Sequence, residues 1–129
     1  MTMRLRPKKQ LKRQKAENLG KTGEFLASIF LRLKFYSILA KNYKTPFGEI
    51  DLIVKRGNII AFVEVKTRNN KAQIGDALLA VNKYRISRAA NHYLMNNASF
   101  VKNHLRFDVI FLAPKSFPLH LMGAFENVE

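Results

Sequence analysis

The apolar residues of the chain recur with two periods, one typical of helices and one typical of strands. Between residues 17 and 34 they return every three or four positions, which predicts an amphipathic helix. Residues 36–43 predict a first strand, and two further strands flank Gly57–Asn58, a dipeptide typical of hairpin turns. The first half of the chain therefore predicts one helix followed by three strands.

The second half of the chain returns to helical spacing and then to alternation. Residues 74–97 have the helical period, and Asn82 is placed to cap a new helical start at Lys83. Residues 104–113 alternate as a strand does, and residues 119–125 predict a last edge strand. The order of elements predicts a compact α/β domain in which helices cover a sheet.

The hairpin around Gly57–Asn58 carries acidic residues in otherwise apolar strands. A two-residue turn fixes the register of the hairpin, and it places Asp51 opposite Glu64 and Glu49 opposite Lys66. The other face of this hairpin is predicted to be entirely apolar. The residues assigned to that face are Ile50, Leu52, Val54, Ala61, Val63 and Val65.

Opposed carboxylates destabilise a strand pair unless a cation lies between them or one is protonated. Asp51 and Glu64 therefore predict a divalent cation, and their hard oxygen ligands favour Mg²⁺ or Mn²⁺. Lys66 would lie beside that ion, where an ammonium can orient water or stabilise charge on a phosphate. A plain ion pair between Lys66 and Glu49 is the alternative for this lysine.

The composition limits the kinds of partner. The 129 residues, 47% of them hydrophobic, suffice for one domain with a core. With 23 Lys and Arg against 9 Asp and Glu, the net charge is +14, which favours nucleic acid. A membrane partner is not expected, because the basic N-terminus lacks a broad apolar face. The absence of cysteine suits a reducing compartment, and we expect a cytoplasmic protein.

The basic residues are densest at the N-terminus. Residues 1–16 predict a mobile arm that contacts phosphates, and residues 17–129 predict the folded domain. A merely solubilising tail is the alternative. The basic residues of the arm are Arg4, Arg6, Lys8, Lys9, Lys12, Arg13 and Lys15.

The spacing of Asp51 and the run Glu64-Val65-Lys66 resembles the PD-(D/E)XK nuclease superfamily, although Ile50 stands where the superfamily's name has proline. More narrowly, the chain is similar to the bacterial YraN family, which is similar to archaeal Holliday-junction resolvases. The segments that carry this resemblance are Gly23-Glu24, GEIDLI at 48–53, FVEVKTR at 62–68 and RFDV at 106–109. The resemblance implies a restriction-endonuclease-like αβββαβ core with a mixed central sheet flanked by helices.

The resemblance also implies roles for individual residues. Asp51 and Glu64 would bind the metal together with the Val65 carbonyl, and Lys66 would act on the attacking water. Glu24 would reach the metal or its water from the first helix. Glu49 is a weaker candidate for a supporting contact around these ligands.

Four basic residues of the domain are candidates for binding phosphate. Arg68 continues the face of Glu64 and Lys66, and three more lie on the helix after Asn82. These are Lys83, Arg85 and Arg88, for which an ordinary solvated helix face is the alternative. The histidines are interpreted as structural, and Asp108 is expected to pair with a neighbour such as Arg106.

These observations predict a metal-dependent endonuclease-like phosphodiesterase that acts on DNA, with branched or distorted DNA as a candidate substrate. One alternative is a nucleic-acid-binding module that retains the nuclease fold without cutting. A second is a basic RNA- or ribosome-associated factor. Homodimerisation is left open.

Overall fold

A computed structural model of the protein describes residues 8–129, apart from the side chains of residues 9 and 12–19. The α/β fold predicted from the sequence is confirmed: a five-stranded mixed sheet is flanked by helices. The helices and strands are α1 (Lys8–Leu33), β1 (Ser37–Thr45), β2 (Gly48–Arg56), β3 (Ile59–Thr67), α2 (Ile74–Leu79), α3 (Lys83–Asn96), β4 (His104–Leu112) and β5 (Leu119–Phe125).

Helix α1 begins at Lys8, well before the start predicted at residue 17. The extra residues are mostly Lys, Gln, Leu, Arg and Ala, which favour helix without contributing an apolar stripe. The apolar period on which the prediction relied therefore missed them. Residues 1–7, with Arg4 and Arg6, lie outside the described part, and the mobility expected of residues 1–16 stays a prediction.

The strands lie in the order in which they occur along the chain. Each strand pairs antiparallel with the next, except that β3 and β4 are parallel. A parallel pair needs a crossover, which α2 and α3 supply. Asn82 begins α3 as predicted, because its side chain accepts a hydrogen bond of 3.1 Å from the Arg85 amide. This crossover brings the start of α3 close to the start of β2.

Both faces of the sheet are buried, each under one helix. Ala27 and Leu31 of α1 pack on one face, in a cluster with Leu52 and Val63. The other face packs against α3 in a second cluster. The buried members of that cluster include Ile50, Ile53, Ile60, Phe62, Ile86, Ala89, Ala90 and Tyr93. The hairpin face predicted to carry Asp51 is therefore also core over most of its length.

Strand β2 changes its alternation near Asp51. Ile50 packs with Ile53 on the α3 side, whereas Leu52 packs on the α1 side. Residues three apart in a regular strand point to opposite faces, so the period is shifted between Ile50 and Leu52. The prediction that Ile50 shares the face of Leu52 is wrong for this reason.

Two glycines allow the helices to approach the sheet closely. A Cβ atom at Gly23 in α1 would lie 2.5 Å from Oγ1 of Thr67. A Cβ atom at Gly48 would overlap the main-chain carbonyl of Arg85 in α3. The two helices can therefore reach the same end of the β2–β3 hairpin from opposite faces.

A buried ion network holds the β4–β5 edge. Asp108 is fully buried and accepts two hydrogen bonds of 2.8 Å from Arg106, the partner expected from the sequence. It also accepts bonds of 2.7 Å from Nε2 of His120 and 3.0 Å from the Gly123 amide. Burial would raise the pKa of Asp108, but these hydrogen bonds together hold it below its ordinary value. His120 is therefore structural, as predicted.

Within the described part of the chain, no helix combines the length and the apolar character needed to cross a bilayer.

Candidate active site

The β2–β3 hairpin has the predicted turn and register, but its regular pairing stops short of the acidic residues. The paired positions run from Arg56–Ile59 to Leu52–Val63. Beyond them, Oδ2 of Asp51 accepts a hydrogen bond of 2.8 Å from the Val65 amide. The side chain thus replaces the main-chain carbonyl as partner of the next strand. This contact holds the Asp51 carboxylate beside Glu64.

Glu24 reaches the same place from α1. It lies one turn before Ala27 and Ser28, both buried, so it is on the side of the helix that faces the sheet. The negative charge of Asp51 and hydrogen bonding from the Asn42 side chain both act on the pKa of its carboxyl group. Packing of α1 on the sheet thus brings Glu24 close to Asp51, although the two are far apart in the chain.

These groups line a common cavity of about 330 Å³, named here the acidic cavity. It combines three carboxyl groups, one lysine and one arginine. Its lining residues are Gly20, Glu24, Asp51, Glu64, Val65, Lys66, Thr67 and Arg68. All the residues expected to bind a metal or to act on water therefore meet in one place.

The pKa values of all three carboxyl groups in the cavity are raised. Burial and the nearby charge of Asp51 raise the pKa of Glu64 to about 7, against the opposing effect of Lys66. Burial and the same charge raise the pKa of Glu24. Burial also raises the pKa of Asp51, although the Val65 amide partly offsets it. Asp51 is thus the centre of a cluster in which ionised carboxylates repel one another.

Lys66 pairs with Glu64 rather than with Glu49. Its Nζ lies 3.4 Å from Oε1 of Glu64, and both side chains are more than four-fifths buried. The expected alignment of Glu49 with Lys66 lies beyond the end of the regular ladder at Leu52–Val63. Glu49 instead lines a second cavity of about 120 Å³ that shares Glu64 and Lys66 with the acidic cavity.

The donor set fits a hard divalent cation in its chemistry. Carboxylate oxygens suit Mg²⁺ or Mn²⁺, and a cation would relieve the repulsion that raises the pKa values. Among the described side chains, however, no three of His, Cys, Asp or Glu are already arranged as a set of metal ligands. Mg²⁺ is often held by one or two carboxylates, water and substrate phosphate. Asp51 and Glu64 fit a site of that incomplete kind.

Two of the four basic residues expected to bind phosphate line the cavities. Arg68 lines the acidic cavity, and its Nε lies 3.3 Å from Oδ2 of Asp76. Arg85 lines the second cavity beside Glu64 and Lys66. Arg88 lies one turn further along α3, and Lys83 is exposed at the start of that helix. Of the basic arm, the side chain of Lys8 is described and is exposed.

Asn42 is a site residue that the sequence analysis did not single out. It has a positive φ of 49° in β1, a conformation that asparagine tolerates better than most residues. Hydrogen bonding from its side chain lowers the pKa of Glu24, against the larger effect of burial. The feature of the sequence that could have indicated Asn42 is that an asparagine, a residue uncommon in strands, stands inside the predicted first strand.

Comparison with known proteins matches this chain to one family. Residues 23–112 match the model of a family described as uncharacterised protein family UPF0102. A UPF0102 protein of Erythrobacter litoralis is 46% identical over 118 residues, which cover 90% of this chain and 99% of the relative. One of Parvibaculum lavamentivorans is 45% identical over 84% of this chain and 82% of its own.

Proposed function

The protein belongs to the YraN family, UPF0102, and from the groups that meet in its acidic cavity we propose that it is a divalent-metal-dependent endonuclease acting on DNA. One observation carries the proposal. Glu24, Asp51 and Glu64, from three separate elements, converge in one cavity with raised pKa values and with Lys66 beside them. Such perturbed groups in a cleft are typical of functional sites.

The arrangement costs stability, which supports a functional reason for it. The chain has only nine acidic residues, yet three of them repel one another here. A protein that only bound DNA would gain nothing from an acidic cluster facing a polyanion. A divalent cation removes the conflict, because it attracts the carboxylates and the phosphate alike.

The residues of the cavity supply complementary parts of phosphodiester hydrolysis. Asp51 and Glu64 would hold the cation, which on binding supplies Lewis-acid stabilisation of phosphate charge. Lys66, held at Glu64, is placed to stabilise negative charge on the scissile phosphate. The Val65 amide keeps Asp51 oriented, and Glu24 is placed to orient water in the cavity.

The charge of the chain supports nucleic acid as the substrate. A net charge of +14 raises the local concentration of a polyanion and speeds its association. Arg68 and Arg85 lie at the two cavities that share Glu64 and Lys66. They are therefore placed to bind phosphates on either side of the cleavage point.

A second candidate function is a DNA-binding module that does not cut. The observation that favours it is the lack, among the side chains that the structure describes, of three acidic or histidine groups already arranged as metal ligands. In that case the three carboxyl groups would be retained with the nuclease fold but would no longer support cleavage. The two functions differ in whether any DNA is cleaved when a divalent cation is supplied.

The test is to incubate labelled four-way junction, flap and linear duplex DNA with Mg²⁺, with Mn²⁺, or with EDTA. We expect cleavage of at least one substrate with a divalent cation and none with EDTA. Asp51→Asn should abolish cleavage, whereas Asp76→Asn, an exposed aspartate paired with Arg68, should retain most of it. Tight binding with no cleavage of any substrate would establish the binding module instead.

A further inference from the structure

Two exposed aromatic rings share one arginine beside the second cavity. The guanidinium carbon of Arg88 lies 4.4 Å from the ring centroid of Phe47 and 5.4 Å from that of Tyr84. The two residues remain 45% and 53% exposed. Large apolar rings at this exposure contribute only part of their hydrophobic energy to the fold. Phe47, Tyr84 and Arg88 are named the aromatic platform.

The aromatic platform adjoins the candidate active site through both of its elements. Phe47 lies in the turn before β2, directly before Gly48 and Glu49. Tyr84 precedes Arg85, which lines the cavity shared by Glu49, Glu64 and Lys66. The close contact between Gly48 and the Arg85 carbonyl joins the turn to α3. The platform is thus held at a fixed position, with Tyr84 one residue and Phe47 two residues from the cavity lining.

The surroundings of the aromatic platform are basic. Lys44 is exposed three residues before Phe47, and Lys83 and Arg85, which flank Tyr84 in the chain, are exposed as well. Two acidic residues lie near it: Glu129, whose Oε1 lies 3.9 Å from Nε of Arg88, and the exposed Glu49, which pairs with Lys44 across β1 and β2. Exposed rings among cations are the combination that binds nucleotides, since cations take the phosphates and rings take the base faces.

We propose that the aromatic platform stacks an unpaired DNA base next to the scissile phosphate, so that the substrate carries single-stranded nucleotides at the site. The inference rests on the proposed function and specifies its substrate class. Bases inside a duplex already stack on each other and offer no free face to a side chain. Only an unpaired nucleotide, at a gap, flap or branch, can use both Phe47 and Tyr84.

A purely structural role is the competing explanation. Arg88 stacked on Phe47 would then only fasten the β1–β2 turn to α3. The two roles differ in what happens when the rings are removed. In a structural role the loss lowers the stability of the fold, whereas in a stacking role it lowers the affinity for DNA with unpaired bases.

The test measures binding in EDTA, where no cleavage occurs, by fluorescence anisotropy on two DNA molecules. One is a fully paired hairpin duplex, and the other is the same duplex with a short unpaired gap that contains 2-aminopurine. The double variant Phe47→Ala/Tyr84→Ala should lose roughly tenfold in affinity for the gapped DNA and little for the duplex. The exchange Phe47→Tyr/Tyr84→Phe should preserve the preference, because it preserves the stacking faces.

Two further variants and the 2-aminopurine signal make the result specific. Phe35→Ala and Phe117→Ala remove rings that are 85% and 96% exposed elsewhere, and neither should change the preference. Stacking on the wild-type platform should alter the 2-aminopurine emission, and the double alanine variant should not. If the double alanine variant unfolds, this change in emission with the wild-type protein still tests whether the unpaired base stacks on the protein.

The outcomes separate the platform from the proposed function. Equal affinity of the wild-type protein for paired and gapped DNA, with divalent-dependent cleavage intact, overturns the platform alone. An equal loss on both DNA molecules in the double alanine variant also overturns it. Absence of both cleavage and DNA binding in the wild-type protein overturns the proposed function and the platform together.

Discussion

The Val65 amide donates a hydrogen bond of 2.8 Å to Oδ2 of Asp51, directly beyond the last regular pair of the β2–β3 ladder. The Asp51 carboxylate takes the place of a main-chain carbonyl as the acceptor. Strands β2 and β3 can therefore separate here without leaving the Val65 amide unpaired. The separation opens the acidic cavity at the end of the hairpin. The same bond holds Asp51 in place as the centre of the carboxyl cluster.

Replacing Asp51 with Asn should stabilise the protein in EDTA or leave its stability unchanged. The amide oxygen can still accept from Val65, while the repulsion with Glu24 and Glu64 is removed. The stabilisation of the wild-type protein by a divalent cation should be lost. That stabilisation is about 2.7 kcal/mol when the free ion is roughly 100 times its Kd.

Thermal melts with EDTA, Mg²⁺ and Mn²⁺ check this prediction, and Asp76→Asn is the control. A wild-type Tm that does not respond to millimolar ions argues against a site formed without DNA. The same melts with an uncleavable DNA analogue then test a site completed by phosphate.

Glu64→Gln should stabilise the metal-free protein more at alkaline than at acidic pH. The folded-state pKa of Glu64 is raised from 4.5 to about 7, so between these values the folded protein retains a proton that the unfolded chain releases. Stability of the wild-type protein therefore falls as pH rises through this window. Glutamine cannot ionise, and the variant should gain on the order of 1–3 kcal/mol relative to wild type across it.

Urea unfolding in EDTA at about pH 5 and about pH 8 measures this difference. Glu126→Gln, an exposed residue after β5, is the control and should show the same stability difference at both pH values. A constant offset between Glu64→Gln and wild type at the two pH values would contradict the prediction.

Lys66→Met should remove cleavage while changing DNA affinity little. Its side chain is mostly buried against Glu64, so it contributes one local charge rather than part of the exposed basic surface. Loss of a group that stabilises transition-state charge lowers turnover by roughly two to three orders of magnitude. Single-turnover rates at saturating DNA are the measurement, and Lys71→Met, an exposed lysine, is the control. A proportional loss of binding and turnover would assign Lys66 to phosphate binding instead.

Glutamine in place of all seven basic residues of the arm should weaken binding to every DNA alike. Glutamine preserves helix propensity, which matters because α1 begins at Lys8. If about four of the charges contact phosphate together, the slope of log affinity against log salt should flatten by roughly 3–4 units. Cleavage at saturating DNA should persist. A loss of turnover at saturation with unchanged affinity would place the arm in the site.

Asp108→Asn should destabilise the fold without a direct effect on the acidic cavity. It leaves Arg106 without its buried partner, a change that costs about 3–5 kcal/mol in comparable pairs. Because the pKa of Asp108 is lowered, its contribution in the wild-type protein is full above the ordinary value of 3.8 and declines as pH falls below it. Urea unfolding at neutral pH measures the loss of stability. Asp76→Asn, which removes an exposed ion pair with Arg68, is the control and should cost under about 1 kcal/mol.

Features that depend on neighbours in the chain could be predicted from the amino-acid order alone. The turn at Gly57–Asn58 set the register from Arg56–Ile59 to Leu52–Val63, and the Asn82 cap set the start of α3. Both follow from turn and cap chemistry within a few residues. The net charge and the acidic residues of the hairpin were also visible without a structure.

How distant residues meet depends instead on the packing of helices on the sheet. Packing of α1 on the sheet brings Glu24 and Asn42 together at Asp51, and no local period predicts which side chains meet across a helix–sheet interface. The shift of alternation at Asp51 depends on core clusters on both faces, so Ile50 was assigned to the wrong one. The approach of Arg85 to Gly48 likewise depends on the path of the crossover between β3 and β4. That path results from many weak contacts between residues that are far apart in the chain.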